Sequence, residues 1–585
     1  MRPSLPALFA AAAASALIAC GGGGGSDAPA PAPPAGSGSG PSPAPSPVPS
    51  PAPSPAPQGN HSIASIDFAQ SMLFASSDPE LVLAGDRAAL VKVNVVAPTP
   101  PTTKPSGVVR VEDGSGGLIG ELVLAAPSDN LPSTPPARPS FADSYSATIP
   151  AAWVRNGMRV SVQFTPAATN AMTLTPRVGG SVALSVVTIP VQIGSTVGQV
   201  VSGAESYLRA RLPAAQITQV GHAPMVSAQV TALPTTSAEW DSAFSRILGE
   251  VDDLHLLENA TSRTLYFGFI PKRSSGIAGV GYRPGNAAVG FDLPSNPVAV
   301  RETMVHEIGH NLSLRHAPCG DASNPDPNYP YANAAMGAGN RFIWGFDATS
   351  SRFVDPTPTS VHDVMSYCSG DWFSDYNYRL MQVYLTPSDR TPSAGADRAQ
   401  ASSADAQPLL LVSGDVDAQG LRLNPVKATV GTPRPPDDGP YLLRITLASG
   451  AVLEQRFATR ELDHLSDRQR FGFTIAHPGP IERIEVVHGG RVVHQRAARA
   501  RPQSAGAAAA PALQVSERGG TLDVRWDAAH HPYLTVTHVG AVRTVIALDV
   551  QGGHATLPSA ALPTGGHFEI GLSDGVNAER TVVAR

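Results

Sequence analysis

Apolar and polar residues alternate with a period of two in short stretches between positions 61 and 188. Val91-Lys92-Val93-Asn94-Val95 and Val160-Ser161-Val162-Gln163-Phe164 are examples, with Pro- and Gly-rich breaks between them. Such alternation predicts half-buried strands, and the pattern as a whole predicts a β-sandwich over 61–187. The period changes near 188. Positions 197–212 and 237–257 carry helical spacing, the second opening with Ser237-Ala238-Glu239-Trp240, close to a capping signal. Leu265-Tyr266-Phe267 and Ile277-Ala278-Gly279-Val280 read as strands, and Ser295-Asn296-Pro297 announces another helix with proline in its first turn. A domain of mixed α and β content is therefore expected over 188–395. After a small-residue linker at 393–407, strand-like runs return at 441–447 and 481–487. An Ala-rich stretch at 505–510 separates two further β modules, 408–500 and 511–585. The expected architecture is multidomain, an α+β domain flanked by β-sandwich modules. The 585 residues, at about 150 per domain, agree with four such pieces.

Composition alters the picture at the N-terminus. Thirteen of the 57 prolines lie between Pro29 and Pro57, in a Gly/Pro/Ala/Ser tract over 21–60 that cannot pack a core and reads as a solvated tether. Ahead of it, Arg2 and the apolar run 7–19 have the length of a signal-peptide core and are too short to span a bilayer. The run ends in Leu17-Ile18-Ala19-Cys20, which resembles a bacterial lipobox; the resemblance implies cleavage of residues 1–20, lipidation at Cys20, and export. Gly21, by the same resemblance, favours an outer-membrane or cell-surface location, with release outside the cell as a further outcome. Net charge is −6, from 41 basic and 47 acidic residues, so no field gathers nucleic acid or anionic lipid. Nucleic acid is excluded as a partner on that ground, and the membrane is expected to be met only through the lipid. Oligomeric state has no signature in the sequence.

The chemistry is concentrated in His306-Glu307-Ile308-Gly309-His310-Asn311-Leu312-Ser313-Leu314-Arg315-His316. On a helix, positions 306 and 310 share a face, so two imidazoles can point at one ion with Glu307 beside them. His316, six residues on, requires the helix to stop and the chain to turn back. Three imidazoles with an open fourth place describe a catalytic zinc site holding one Zn2+. No glutamate follows Glu307 until Glu454, which disfavours a glutamate third ligand and leaves Asp321 or Asp326 as minor options. Asp321, Asn324, Asp326 and Asn328 form an oxygen-rich loop open to Ca2+, but without the twelve-residue calcium-loop pattern they read as a turn cluster. Cys319 and Cys368 would meet an oxidising compartment after export and are expected to pair, which on the chain-entropy model stabilises by up to roughly 4 kcal/mol. Ligation of a metal by one of them is the alternative.

This segment, followed by Val364-Met365-Ser366-Tyr367, resembles the metzincin zinc endopeptidases, whose motif is His-Glu-x-x-His-x-x-Gly-x-x-His with a later methionine turn. The resemblance implies Met365 as an apolar floor beneath the metal. It places Tyr367 as in branches where a tyrosine approaches the zinc and supports the transition state. The family glycine is Ser313 here, so Ser313 must take a costlier backbone conformation or the turn must differ. Ala317 matches the label of none of the best-known branches. The stretches around Cys319 and Cys368 are loosely similar to the secreted enterobacterial mucin-cleaving metalloproteases. In that likeness a Cys319–Cys368 bridge staples the two halves of the metal-site floor. His362 and Asp363, just before the methionine, are candidates for supporting it, and the nine histidines beyond 460 read as strand and loop positions.

The chemistry expected is hydrolysis of peptide bonds in extracellular proteins or glycoproteins. Zinc would acidify a water and polarise the carbonyl, Glu307 would act as general base and then acid, and Tyr367 would donate to the oxyanion. A noncatalytic surface-adhesion protein with a vestigial metal site is the competing reading.

Overall fold

The computed structural model describes residues 59–272, 276–386, 406–465, 467–499 and 513–585. The expected signal segment, the tether up to residue 58, the lipidation site Cys20, and nearly all of the linkers at 393–407 and 505–510 lie outside them. The described part is mostly β, with four α-helices: α1 (Ala204–Arg211), α2 (Ser237–Leu257), α3 (Pro297–Asn311) and α4 (Asp375–Leu385). No helix among the described residues is long and apolar enough to cross a membrane.

The first β layer pairs Ser62–Ala69 with Met72–Ala75 and Ala89–Val96, all antiparallel, and extends to Tyr145–Ile149. A second sheet joins Leu118–Val123, Ser106–Glu112, Arg159–Thr165 and Met172–Leu174. The alternation foreseen in the sequence faces inward: Val91, Val93 and Val95 meet Val109, Val111, Val160 and Val162 in one core. The strands Trp344–Asp347 and Arg352–Val354, far along the chain, complete the edge of the first sheet against Met72–Ala75.

The central sheet runs on one path from Ala183–Ile193 to Thr264–Ile270 and Ala287–Phe291, all parallel, and ends on Gly279–Arg283, which is antiparallel. Ala183–Ile193 starts before residue 188, so the strand crosses the position where composition changes. Thr264–Ile270 is buried on both faces, which is why it reads as a continuous apolar run rather than an alternating one. Leu265, Phe267 and Phe269 pack towards α3, while Tyr266 and Ile270 pack towards α2.

Local chemistry sets the helix limits. Thr236 and Glu239 form a complete capping box at the start of α2, and Asn296 accepts from the Ala299 N–H with Pro297 opening α3. The helical spacing seen over 197–212 yields only the shorter α1. Thr196–Val197 forms a strand instead, and a Cβ on Gly198 would stand 1.9 Å from the Phe269 carbonyl oxygen, so the backbone there lies against the sheet. Helix α4 had no clear periodic signal; Ser374 caps it by accepting from the Asn377 N–H.

Beyond residue 406, two β pieces follow with their own cores. They join the central sheet at both ends: Arg460–Leu462 pairs antiparallel with Gly279–Arg283, and Met225–Val226 bridges Arg543–Val550. Arg470, fully buried, binds Asp252 and Asp253 of α2 and also Asp415, while Lys427 binds Asp253 and Asp549. The described residues form one compact unit.

Candidate metal centre

Helix α3 carries His306, Glu307 and His310 along its C-terminal turns, all buried. Asn311 moors that end of the helix to the sheet by donating to the Tyr282 and Ala287 carbonyls at 3.0 and 2.9 Å. The helix stops where Ser313 adopts φ 77°, and the Ser313 and Leu314 amides donate back to the His310 and Gly309 carbonyls. That left-handed residue is the costlier conformation anticipated for serine in place of glycine. The chain then turns back and delivers His316, fully buried, to the same point.

Each ring is held from behind. Nδ1 of His306, His310 and His316 lies 2.7, 2.9 and 2.6 Å from the carbonyl oxygens of Val364, Leu314 and Ser323. A carbonyl can only accept, so each Nδ1 donates and each ring turns its Nε2 towards its neighbours. The ring centroids stand 4.8, 4.8 and 5.3 Å apart. Beneath them Met365 is fully buried; a Cβ on Gly309 would lie 2.5 Å from its sulfur, so the glycine permits the close approach of helix and floor. Asp363 holds that floor. Its carboxylate accepts from the Met365 and Ser374 amides, both at 2.7 Å, and from Asn377 Nδ2 at 3.0 Å. His362 turns away and faces the Asn333 carbonyl. Cys319 and Cys368 are joined in a disulfide, so neither is a metal ligand.

Two further residues enter the cluster from outside the 188–395 span. Asp463 Oδ2 lies 2.9 Å from Nε2 of both His310 and His316, and His464 Nε2 lies 3.3 Å from the same oxygen and 3.5 Å from Glu307 Oε1. His464, read from sequence as an ordinary strand or loop histidine, instead stacks on Tyr367 with ring centroids 5.2 Å apart, and the Tyr367 hydroxyl meets its Nδ1. The aspartate brought to the imidazoles is thus Asp463, not Asp321 or Asp326. Asp326 accepts from Tyr376 and from the Asn328 amide, and Asn324 accepts from Arg315, which makes that loop a hydrogen-bonded turn cluster.

The electrostatics favour a cation. Four metal-ligating atoms of His306, His310, His316 and Asp463 crowd one point: the Nε2 atoms of His306 and His310 are 3.1 Å apart, and Asp463 Oδ2 lies 2.9 Å from those of His310 and His316. His316 Nε2, Asp463 Oδ2, His464 Nε2 and Glu307 Oε2 are buried without a hydrogen-bond partner among the described residues. Buried acceptors facing acceptors are costly unless a positive ion sits between them, so the donor set fits a metal. Burial, together with the neighbouring imidazoles, holds the His306 ring well below the ordinary histidine range. Burial pushes the Glu307 carboxyl up to about 8, His310 opposing and Asp463 adding to the rise. Asp463 is itself raised by burial but more strongly lowered by His310 and His316, and stays ionised.

Residues 280–396, a fifth of the chain, match the model of the Peptidase M66 family. The match spans the three histidines and the methionine loop, and it supports peptidase activity and a metal at this cluster. No curated protein matches the chain significantly. Among solved structures, a β-glycosidase from Bacteroides vulgatus is 10% identical over 90% of this chain and 80% of that chain, with a TM-score of 0.14. A glycosyl hydrolase family 2 member from Bacteroides cellulosilyticus DSM 14838 is 8% identical over 88% of this chain and 80% of that chain, again with a TM-score of 0.14. Scores this low carry no argument about fold or activity.

Proposed function

We propose that the chain is a zinc endopeptidase of the metzincin kind, exported and anchored by lipid at Cys20, that hydrolyses extracellular proteins or glycoproteins. The observation that supports it most is the convergence of three Nε2 lone pairs from His306, His310 and His316, each ring oriented by a backbone carbonyl, with Glu307 buried alongside. Zinc held there supplies Lewis acidity towards a water and the scissile carbonyl. A cation held by the imidazoles would offset the burial that raises the Glu307 carboxyl, so that Glu307, whose Oε2 has no partner among the described residues, would take the proton of the attacking water and pass it to the leaving amine. A cavity of about 270 Å³ lined by Gly279, Thr303, Glu307 and Tyr367 opens beside that carboxylate. Burial keeps the Tyr367 phenol above its ordinary range and therefore protonated, so it can donate to a developing oxyanion once His464 has withdrawn.

Purified protein should hold about one zinc per chain and cleave casein or a mucin in a manner abolished by a chelator and restored by added zinc. Cleavage by the metal-free protein, unchanged by chelator, would contradict the proposal.

A further inference from the structure

Gly279–Arg283 is the last strand that residues 183–291 contribute at this end of the sheet, and Gly279 and Gly281 both abut Glu307, so the strand forms a wall of the reaction site. A strand with a free edge pairs readily with an extended peptide, which is how a protease cleft can hold a substrate backbone. In this structure that edge is taken by the chain itself. Leu462 pairs with Tyr282, Glu461 pairs with Arg283, and the Asp463 amide donates to the Gly281 carbonyl at 3.0 Å. The segment then runs straight into the imidazole cluster. Asp463 Oδ2 takes up a position 2.9 Å from two Nε2 atoms, and His464, at φ 63°, fills the space between Glu307 and Tyr367.

Resting on the zinc-peptidase reading above, we propose that Asp463 is a fourth protein ligand of the metal and that residues 460–464 are an internal inhibitory segment lying where a substrate strand would pair. Three features carry this: the strand pairing, the buried carboxylate oxygen without a hydrogen-bond donor, and the histidine seated against the general base. A tethered carboxylate in the open position and a backbone on the cleft edge together exclude both water and substrate. The segment is short and is paired over only two residues on each side, to Gly279–Arg283 and to Gln469–Ala476. Arg460 is tied to Asp252 and Leu462 is buried, so displacement begins at Asp463 and His464, beyond the paired residues, while Arg470 keeps the following strand fixed to α2.

The test uses the full chain and two variants, Asp463→Ala and Asp463→Asn; both keep the backbone bond to Gly281, and the second also keeps the side-chain shape. Zinc affinity is measured by competition with a chromogenic chelator, the visible spectrum is recorded with Co2+ in place of zinc, and casein cleavage is followed. The proposal expects both variants to bind zinc at least roughly 10-fold more weakly, to change the Co2+ spectrum, and to cleave casein faster than the parent. Wild-type protein that binds zinc, with variants unchanged in affinity and spectrum, overturns the role of Asp463 and leaves the peptidase reading standing. Variants that bind zinc normally but cleave more slowly also overturn it, since Asp463 would then assist the reaction. A wild-type chain that binds no zinc, as His310→Ala also would not, overturns the peptidase reading itself.

Discussion

Glu250 sits within α2 with its carboxylate wholly enclosed, accepting from Ser227 Oγ at 2.7 Å and from the Ala228 and Gln229 amides at 2.8 and 3.2 Å. Burial outweighs those bonds and pushes its carboxyl up to about 7. The folded state thus binds this proton more tightly than the unfolded one, whose carboxyl titrates near 4.5. The contribution is fully present below that value and is lost as pH rises through about 7, amounting to roughly 3 kcal/mol. We expect denaturant unfolding of Glu250→Gln to lack this part of the pH dependence; a variant whose stability tracks the parent from pH 4.5 to 7 would refute the assignment. Single residues at the metal centre were legible in another way. His306, Glu307, His310 and His316 declare themselves because their spacing is local. Ser313 shows the turn as a departure from the expected glycine, and its φ of 77° is the physical cost of that departure.

At the scale of elements, α3 and the loop carrying Met365 form a unit held by Asp363. Its carboxylate fixes the amide of Met365 and ties the loop to the start of α4 through Ser374 and Asn377. Asp363→Ala leaves two buried amides and a buried side-chain amide without an acceptor. The cost should be about 2–4 kcal/mol on the scale of lost buried charged hydrogen bonds, read as a lower denaturation midpoint. A loss under about 0.5 kcal/mol would mean the loop is held by packing alone. Helix limits were readable where a cap marks them, as with Thr236 before α2 and Asn296 before α3. The helix foreseen over 197–212 shrank to α1 because tertiary contact at Gly198 overrode a periodicity that propensity alone would have extended. Strands with alternating burial were legible. The two-residue and three-residue strands that weld the modules were not, since so few residues carry no periodic signal.

Over the described residues the structure is β-rich, as turn chemistry suggested, and the β segments after residue 406 share sheets and buried charges with the central sheet. Arg470, Lys427 and Asp549 come from the β pieces after residue 406 and converge on Asp252 and Asp253 of α2. The same closeness brings Asp463 and His464 to the imidazoles. They lie 147 and 148 positions after His316, and nothing in their local sequence distinguishes them from any Asp-His pair; only the pairing of Arg460–Leu462 with Gly279–Arg283 places them. A cluster that looked confined to residues 188–395 therefore includes residues from beyond them. The central claim, that His306, His310 and His316 hold zinc while Glu307 moves the proton, is tested most directly by measuring zinc content and casein cleavage together for Glu307→Gln. The account predicts about one zinc per chain, as in the parent, with cleavage reduced by at least roughly 100-fold. A zinc-loaded Glu307→Gln protein that cleaves at the parent's rate would contradict it.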